Sequence, residues 1–363
     1  MKTKKMILIS LLVLGAMFLS ACSGGTVVNN WYGLAADAER AYVSAGSFIY
    51  AVDLQNGSEV WRYPEKADSK VLFFANPVLT TDGQLLIGSA GAKDHKFISL
   101  DPATGKEKWA KVFTGAKGAW VAAPLVMNDR IYVPNTDGFL YVLDLSGNQS
   151  ADPIDIGGAL WSAPVSDGTL IYLSSLDHFL HIIDPVKGVV VSEIDLGGAI
   201  PSSPAVNNIG AYAGSFASTI EFIQSNGDHS VLTQTENRVW GSPVLDGETL
   251  YYADLNGKVY SFDLASGTEN WSVQPDGPVA AGLLIAGGQI YVASEADPTS
   301  ELGTLVALDL DGKTVWSKEV GGKLYTTPVV SGDLILVAPH QAEVTLAAYD
   351  ADGKQAWTFT PAK

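Results

Sequence analysis

The chain has one cysteine in 363 residues, Cys22, so no disulfide can form within it. Basic residues are scarce as well: 22 Lys and Arg stand against 39 Asp and Glu, a net charge of −17 at pH 7. A surface that acidic repels phosphate backbones, which argues against nucleic acid as a partner and for solubility in an aqueous compartment. Histidine is limited to His95, His178, His181, His229 and His340. Only His178 and His181 are close in sequence, and on a strand an offset of three turns them to opposite faces, so no metal spacing emerges. No phosphate loop, nucleophile triad or paired-carboxylate motif can be defended, and neither catalysis nor a metal site is expected. After residue 21 no stretch has sustained helical periodicity. Charged residues make up 17% and apolar ones 47% of the chain, a balance suited to broad buried sheets.

Only one apolar run is long, Met6 to Phe18, preceded by Lys2, Lys4 and Lys5 and followed by Leu19-Ser20-Ala21-Cys22. The run is too short for a comfortable membrane span, and the order basic, apolar, small describes a secretory signal over residues 1–21. The ending resembles the bacterial lipobox, which implies lipidation at Cys22 and anchoring to the cell envelope: the outer membrane if the host has one, otherwise the outer face of the cell membrane. An ordinary signal with a chance cysteine is the alternative. Removing three lysines with the signal takes the net charge to −20. Residues 22–30 are small and polar and read as a tether. Residues 31–363 continue without a linker and are taken as one domain.

What the chain has in abundance is repetition. An Asp ends an apolar run at Asp53, Asp101, Asp144, Asp184, Asp263, Asp309 and Asp350, with Gln224 in the same slot of an eroded copy, at steps of 39 to 48 residues. A turn glycine follows three or four residues later at Gly57, Gly105, Gly147, Gly188, Gly227, Gly267, Gly312 and Gly353. Four residues beyond the glycine stand Trp61, Trp109, Trp271, Trp316 and Trp357, whereas units three to five carry Ala151, Ser192 and Val231 there. Aspartate caps the turn, glycine supplies positive φ, and the indole carries the largest apolar area. A second strand is marked by Tyr132, Tyr172, Tyr212, Tyr251 and Tyr291, and an opening strand by WSAPV, WGSPVL and YTTPVV. Eight four-stranded antiparallel units near 40 residues predict an all-β, eight-bladed propeller, likewise the natural way to bury both faces of every unit. The tryptophans after the turn are read as blade-docking residues. Drift and specialisation for a partner both account for the contiguous eroded arc.

Segments such as FISLDPATGKEKW, VYSFDLASGTENW and LVALDLDGKTVW resemble the PQQ-type, quinoprotein-like propeller repeat. Together with the lipobox, the chain resembles the BamB-type lipoproteins of outer-membrane barrel assembly. That resemblance implies a monomeric propeller scaffold whose partner is an envelope protein, such as an outer-membrane barrel-assembly component. The same repeat occurs in PQQ-dependent dehydrogenases, whose site commonly includes a vicinal disulfide, a stacking Trp and a Ca²⁺. No cysteine follows Cys22, so no PQQ or other cofactor is expected.

One further constellation stands out. Three residues before the opening-strand proline or its equivalent sit Trp31, Phe74, Trp161, Trp240 and Tyr325, with Trp120 one residue off. Equivalent positions in a ring of blades lie at equal height about the axis. The six therefore read either as core packing or as an aromatic mouth for a peptide or a sugar. An acidic loop holding Glu295, Asp297 and Glu301 is read as a solvated connection, with a bound ion as the alternative.

Overall fold

The computed structural model describes residues 31–91, 95–275, 277–295, 302–340 and 342–362. All of its elements are strands. Eight sheets of four strands follow one another along the sequence, at 33–63, 78–112, 125–155, 165–195, 205–234, 244–273, 284–320 and 329–359, and we number these blades one to eight. Every strand pairs antiparallel with its sequence neighbour within its blade. The first strands of blades four to eight and of blade one lie side by side in succession, so the first strand of each blade faces the axis and the fourth is outermost. The eight-bladed, all-β propeller is therefore the fold. A two-stranded ribbon, Val71–Leu72 with Ala90–Gly91, decorates blade two.

Each blade supplies apolar side chains to two interfaces. Blade six gives Tyr251, Ala253 and Val259 to the cluster it shares with Ile290, Val292, Val306 and Leu308 of blade seven. Its Leu250, Tyr252, Tyr260 and Phe262 go to the cluster shared with Tyr212 and Ile220 of blade five. Alternate residues of one strand thus pack on different neighbours, as period two requires. This is why the strands read as continuous apolar runs.

The turn between the third and fourth strands follows from its residues. In blade one Asp53 Oδ1 accepts the backbone N–H of Gln55 at 2.9 Å and of Asn56 at 3.2 Å. Gly57, at φ +73°, donates back to the Asp53 carbonyl at 2.8 Å. In blade six the Ser266 N–H bonded to Asp263 holds that carboxyl below its usual pKa. After the turn, one residue of the fourth strand bulges out of register: Ala51 pairs with Trp61 but Val52 with Glu59, leaving Val60 between them. The bulge places the indole on the interface face.

The ring closes without strand exchange among the described residues. Blade eight docks on blade one through Leu336, Leu346 and Trp357 against Leu34, Val43 and Val52. Ser331 Oγ donates to the Asp37 carbonyl at 2.6 Å, and Thr326 Oγ1 donates to the Tyr32 carbonyl.

Candidate functional site

The blades have two ends of different character. Turns between third and fourth strands crowd one end, and there the docking tryptophans lie. The indole N–H of Trp61 donates to the Pro102 carbonyl at 3.0 Å, Trp109 to Leu145 at 3.3 Å, Trp271 to Leu310 at 2.9 Å and Trp316 to Ala351 at 2.8 Å. Trp357 donates to Leu54 at 2.8 Å, so the last blade grips the first. Each acceptor is the residue after the landmark Asp of the next blade. The indole lies flat on that blade's turn glycine: a Cβ added at Gly105 or Gly353 would stand 2.6 Å from the ring, and at Gly57 or Gly312 2.8 Å. Trp61 and Trp357 are each 9% exposed, while Trp109, Trp271 and Trp316 are half-buried.

In the eroded arc this contact is missing. A Cβ at Gly188 or Gly267 would meet nothing within 4 Å, and one at Gly227 would meet only Ser192. Ser192 pairs with Ile182, the register that Trp271 has with Ser261. Val231 does not occupy the equivalent place. It pairs with Glu221, one residue further back, because in blade five the bulge falls at Leu232 instead of ahead of the docking position. Its side chain therefore points to the other face.

The opposite end is the aromatic mouth. The segments expected to open each blade as strand begin four residues later than WSAPV, WGSPVL and YTTPVV suggest, at Val165, Val244 and Val329. Proline lacks a ladder donor, so Trp161–Pro164 and its counterparts run inward as loops. Around the axis these loops line a cavity of about 180 Å³ to which all eight blades contribute. Trp31, Trp161, Trp240 and Tyr325 line it, with Val121, Pro201 and Ala280 in the same slot of blades three, five and seven. The ring of Trp31 lies 5.6 Å from both Phe74 and Trp161, reaching from its own blade to blade four. Trp161 is 38% and Trp240 37% exposed.

Two of the six mouth candidates stand elsewhere. Phe74 is 6% exposed and backs Trp31 without lining the cavity. Trp120 is fully buried in the interface of blades two and three, its ring 5.1 Å from Tyr141 and 5.8 Å from Phe113. Being one residue out of phase sends it into the core and gives the slot to Val121. Phe216, which sequence reasoning missed, lies 5.3 Å from Trp240, with the Arg238 guanidinium 5.6 Å above its ring. The repeat carries its signal: Thr136, Leu176, Phe216 and Leu255 recur at 39 or 40 residues on the turns between second and third strands.

No described His, Asp, Glu, Lys or Arg lines the cavity. His181 is buried in the third strand of blade four, 3.6 Å from Asp177 and 3.7 Å from Glu193, and burial pushes its pKa down against their pull. His178 stands in the preceding turn at φ +81°. Burial raises the Glu295 carboxyl, with Lys323 partly offsetting it. Asp297 and Glu301 lie outside the described residues, as do Cys22 and residues 1–30. Among the described residues no three His, Cys, Asp or Glu side chains are placed to hold a metal.

A ring of eight four-stranded blades, five of them locked to the next by an Asp-turn-Gly-Trp hairpin, defines a propeller of the PQQ-like repeat class. The sequence profile of the family described as outer membrane protein assembly factor BamB matches residues 44–273 and 255–362, and the chain belongs to that family. BamB of Burkholderia pseudomallei (strain K96243) is 29% identical over 118 residues, 32% of this chain and 29% of that protein, so the match spans under a third of that relative's length. A quinohemoprotein alcohol dehydrogenase of Comamonas testosteroni is 33% identical over 99 residues, 25% of this chain and 14% of that enzyme. The crystal structure of BamB from Moraxella catarrhalis superposes with a TM-score of 0.66 at 19% identity, covering 88% of this chain and 91% of that one, a likeness of fold.

Proposed function

We propose that this chain is a monomeric, lipid-anchored envelope scaffold that serves outer-membrane barrel assembly by binding a protein partner, without catalysis. The observation that carries the reading is the aliphatic surface of the eroded arc. Val186, Val189 and Val191 of blade four and Ile209 and Val231 of blade five are all exposed, Val186 at 85%. The outer strand of blade five, His229–Gln234, carries no Asp, Glu, Lys or Arg, and that of blade four, Val189–Asp195, carries Glu193 and Asp195 but no basic residue. Exposed aliphatic side chains on an outer strand that no lysine or arginine blunts invite protein contact.

The dehydrogenase reading fits these residues poorly. PQQ is a tricarboxylate, and its partner cation needs acidic or amide ligands. The cavity lining holds no charged side chain to balance either, and its one amide, Asn76, already accepts the Leu34 N–H at 3.0 Å. We therefore assign no cofactor.

A photo-crosslinking residue at position 191 should capture a barrel-assembly protein in cells, and the same residue at position 315 of blade seven should not. Equal adducts from both positions, or none from 191, would remove this surface from the partner interface. Anchoring is tested separately. Cys22→Ser should abolish palmitate incorporation and leave the propeller folded; undiminished labelling would refute the anchor.

A further inference from the structure

We propose that the aromatic mouth is a binding site for an uncharged carbohydrate, with one sugar ring seated against the Trp161 and Trp240 indoles. The inference goes beyond the scaffold reading and uses the end of the propeller away from the docking tryptophans. Four observations carry it. The lining is free of charged side chains although the chain carries a net −17, so neither an anion nor a cation finds its complement there. Trp161 and Trp240 are more than a third exposed, yet each is braced on one side, Trp161 by Trp31 at 5.6 Å and Trp240 by Phe216 at 5.3 Å. An indole held rigid with a free face loses little entropy on binding and offers the flat apolar surface that the C–H face of a pyranose covers. Blade five, which separates the two indoles, puts Pro201 in the aromatic slot, with Ser202 and Ser203 following. The gap between the indoles is therefore short-walled and hydroxyl-bearing, suited to the equatorial hydroxyls that rim a sugar.

The shape separates a sugar from a peptide. A bound strand needs a groove open at both ends and an edge of backbone donors and acceptors. Here Trp31 reaches from blade one to the blade-four indole, closing one side of the mouth. The remaining space is an open cup floored by short Ala, Gly, Ser and Thr residues between the aromatic rings. The cup is more polar than apolar, so its polar groups fix orientation and the indole faces supply the apolar contact.

The test uses the purified full chain with maltotriose, cellotriose and triacetylchitotriose, read by tryptophan fluorescence and acrylamide quenching. At least one neutral trisaccharide should protect the indoles saturably, and trigalacturonate should not. Trp161→Ala and Trp240→Ala should each weaken capture about tenfold, the loss of one stacking contact worth ~1.4 kcal/mol. Ala280→Trp, which fills the cup and removes no indole, should block it, so the result survives if an alanine variant misfolds. Protection by none of the saccharides, protection undiminished in the Trp161→Ala/Trp240→Ala double variant, or equal protection by trigalacturonate overturns the proposal. Protection by an uncharged Ser-Phe-Thr-Gly peptide alone also overturns it, in favour of a peptide site.

Discussion

At the scale of single residues the fold rests on an indole meeting a glycine. Gly57 and Gly267 are matched by conformation, at φ +73° and +70°, but differ in surroundings. A Cβ on Gly57 would lie 2.8 Å from Trp357, and one on Gly267 would touch nothing within 4 Å. Gly267→Ala should therefore cost only the left-handed strain, about 1–2 kcal/mol. Gly57→Ala adds overpacking of about 1–3 kcal/mol and loosens the seam that closes the ring. Urea midpoints measure both, and equal losses would show that the glycine is kept for its φ alone. Burial orders the tryptophans in the same way. Trp357→Ala should cost about 3–5 kcal/mol as a buried aromatic, and Trp271→Ala less, because it is only partly buried. The Asp, Gly and Trp positions were legible in sequence since a short turn fixes all three locally. Trp120 was not. A displacement of one residue decides between cavity and core, and only the neighbouring blade reveals which side is which.

At the scale of the element, the fourth strand and its bulge decide what a docking position means. Counting four residues from the turn glycine finds the docking tryptophan in five blades, and in blade four it finds Ser192 in the correct register. In blade five it fails. The bulge has moved to Leu232, so Val231 faces the wrong way although its spacing is right. No residue pattern marks a bulge, because its position is set by pairing with the third strand. This makes the two substitutions unequal. Ser192→Trp should lay an indole on Gly227 and stabilise by about 0.5–2 kcal/mol, as cavity filling does. Val231→Trp should leave stability unchanged or reduce it, while Gly267 stays uncovered. A thermal midpoint raised equally by both would mean that blade five can slip into the common register. The expected opening strands failed for a related reason: WSAPV has strand composition, but its proline ends the ladder and the tryptophan goes to the mouth.

At the scale of the whole molecule, repetition made the architecture legible, since eight copies predict a closed ring whatever any one copy has lost. What the repeat cannot convey is where a blade departs from its siblings inside an interface. Tyr50, Tyr141 and Tyr260 sit three residues before the landmark Asp, and blade four has His181 in that place. Burial lowers the His181 pKa against the pull of Asp177 and Glu193. Burial and Lys323 together lower that of His340, which is 8% exposed at the seam of blades eight and one. Both are neutral in the fold near pH 7. In the unfolded chain a histidine takes up its proton near pH 6.5, so below that value the unfolded state binds more protons and stability falls as pH falls. Glu295 works in the opposite sense, because its raised carboxyl takes a proton in the fold before it does in the unfolded chain. Two histidines against one carboxyl leave the histidines dominant. The urea midpoint should drop between pH 7 and pH 5.5, with a slope of up to about 1.4 kcal/mol per pH unit for each histidine. His181→Gln should flatten part of that drop and His340→Gln a further part. A midpoint that stays level or rises on acidification would show that Asp177 and Glu193 outweigh burial, and that His181 is held by charge instead of tolerated as a neutral core residue.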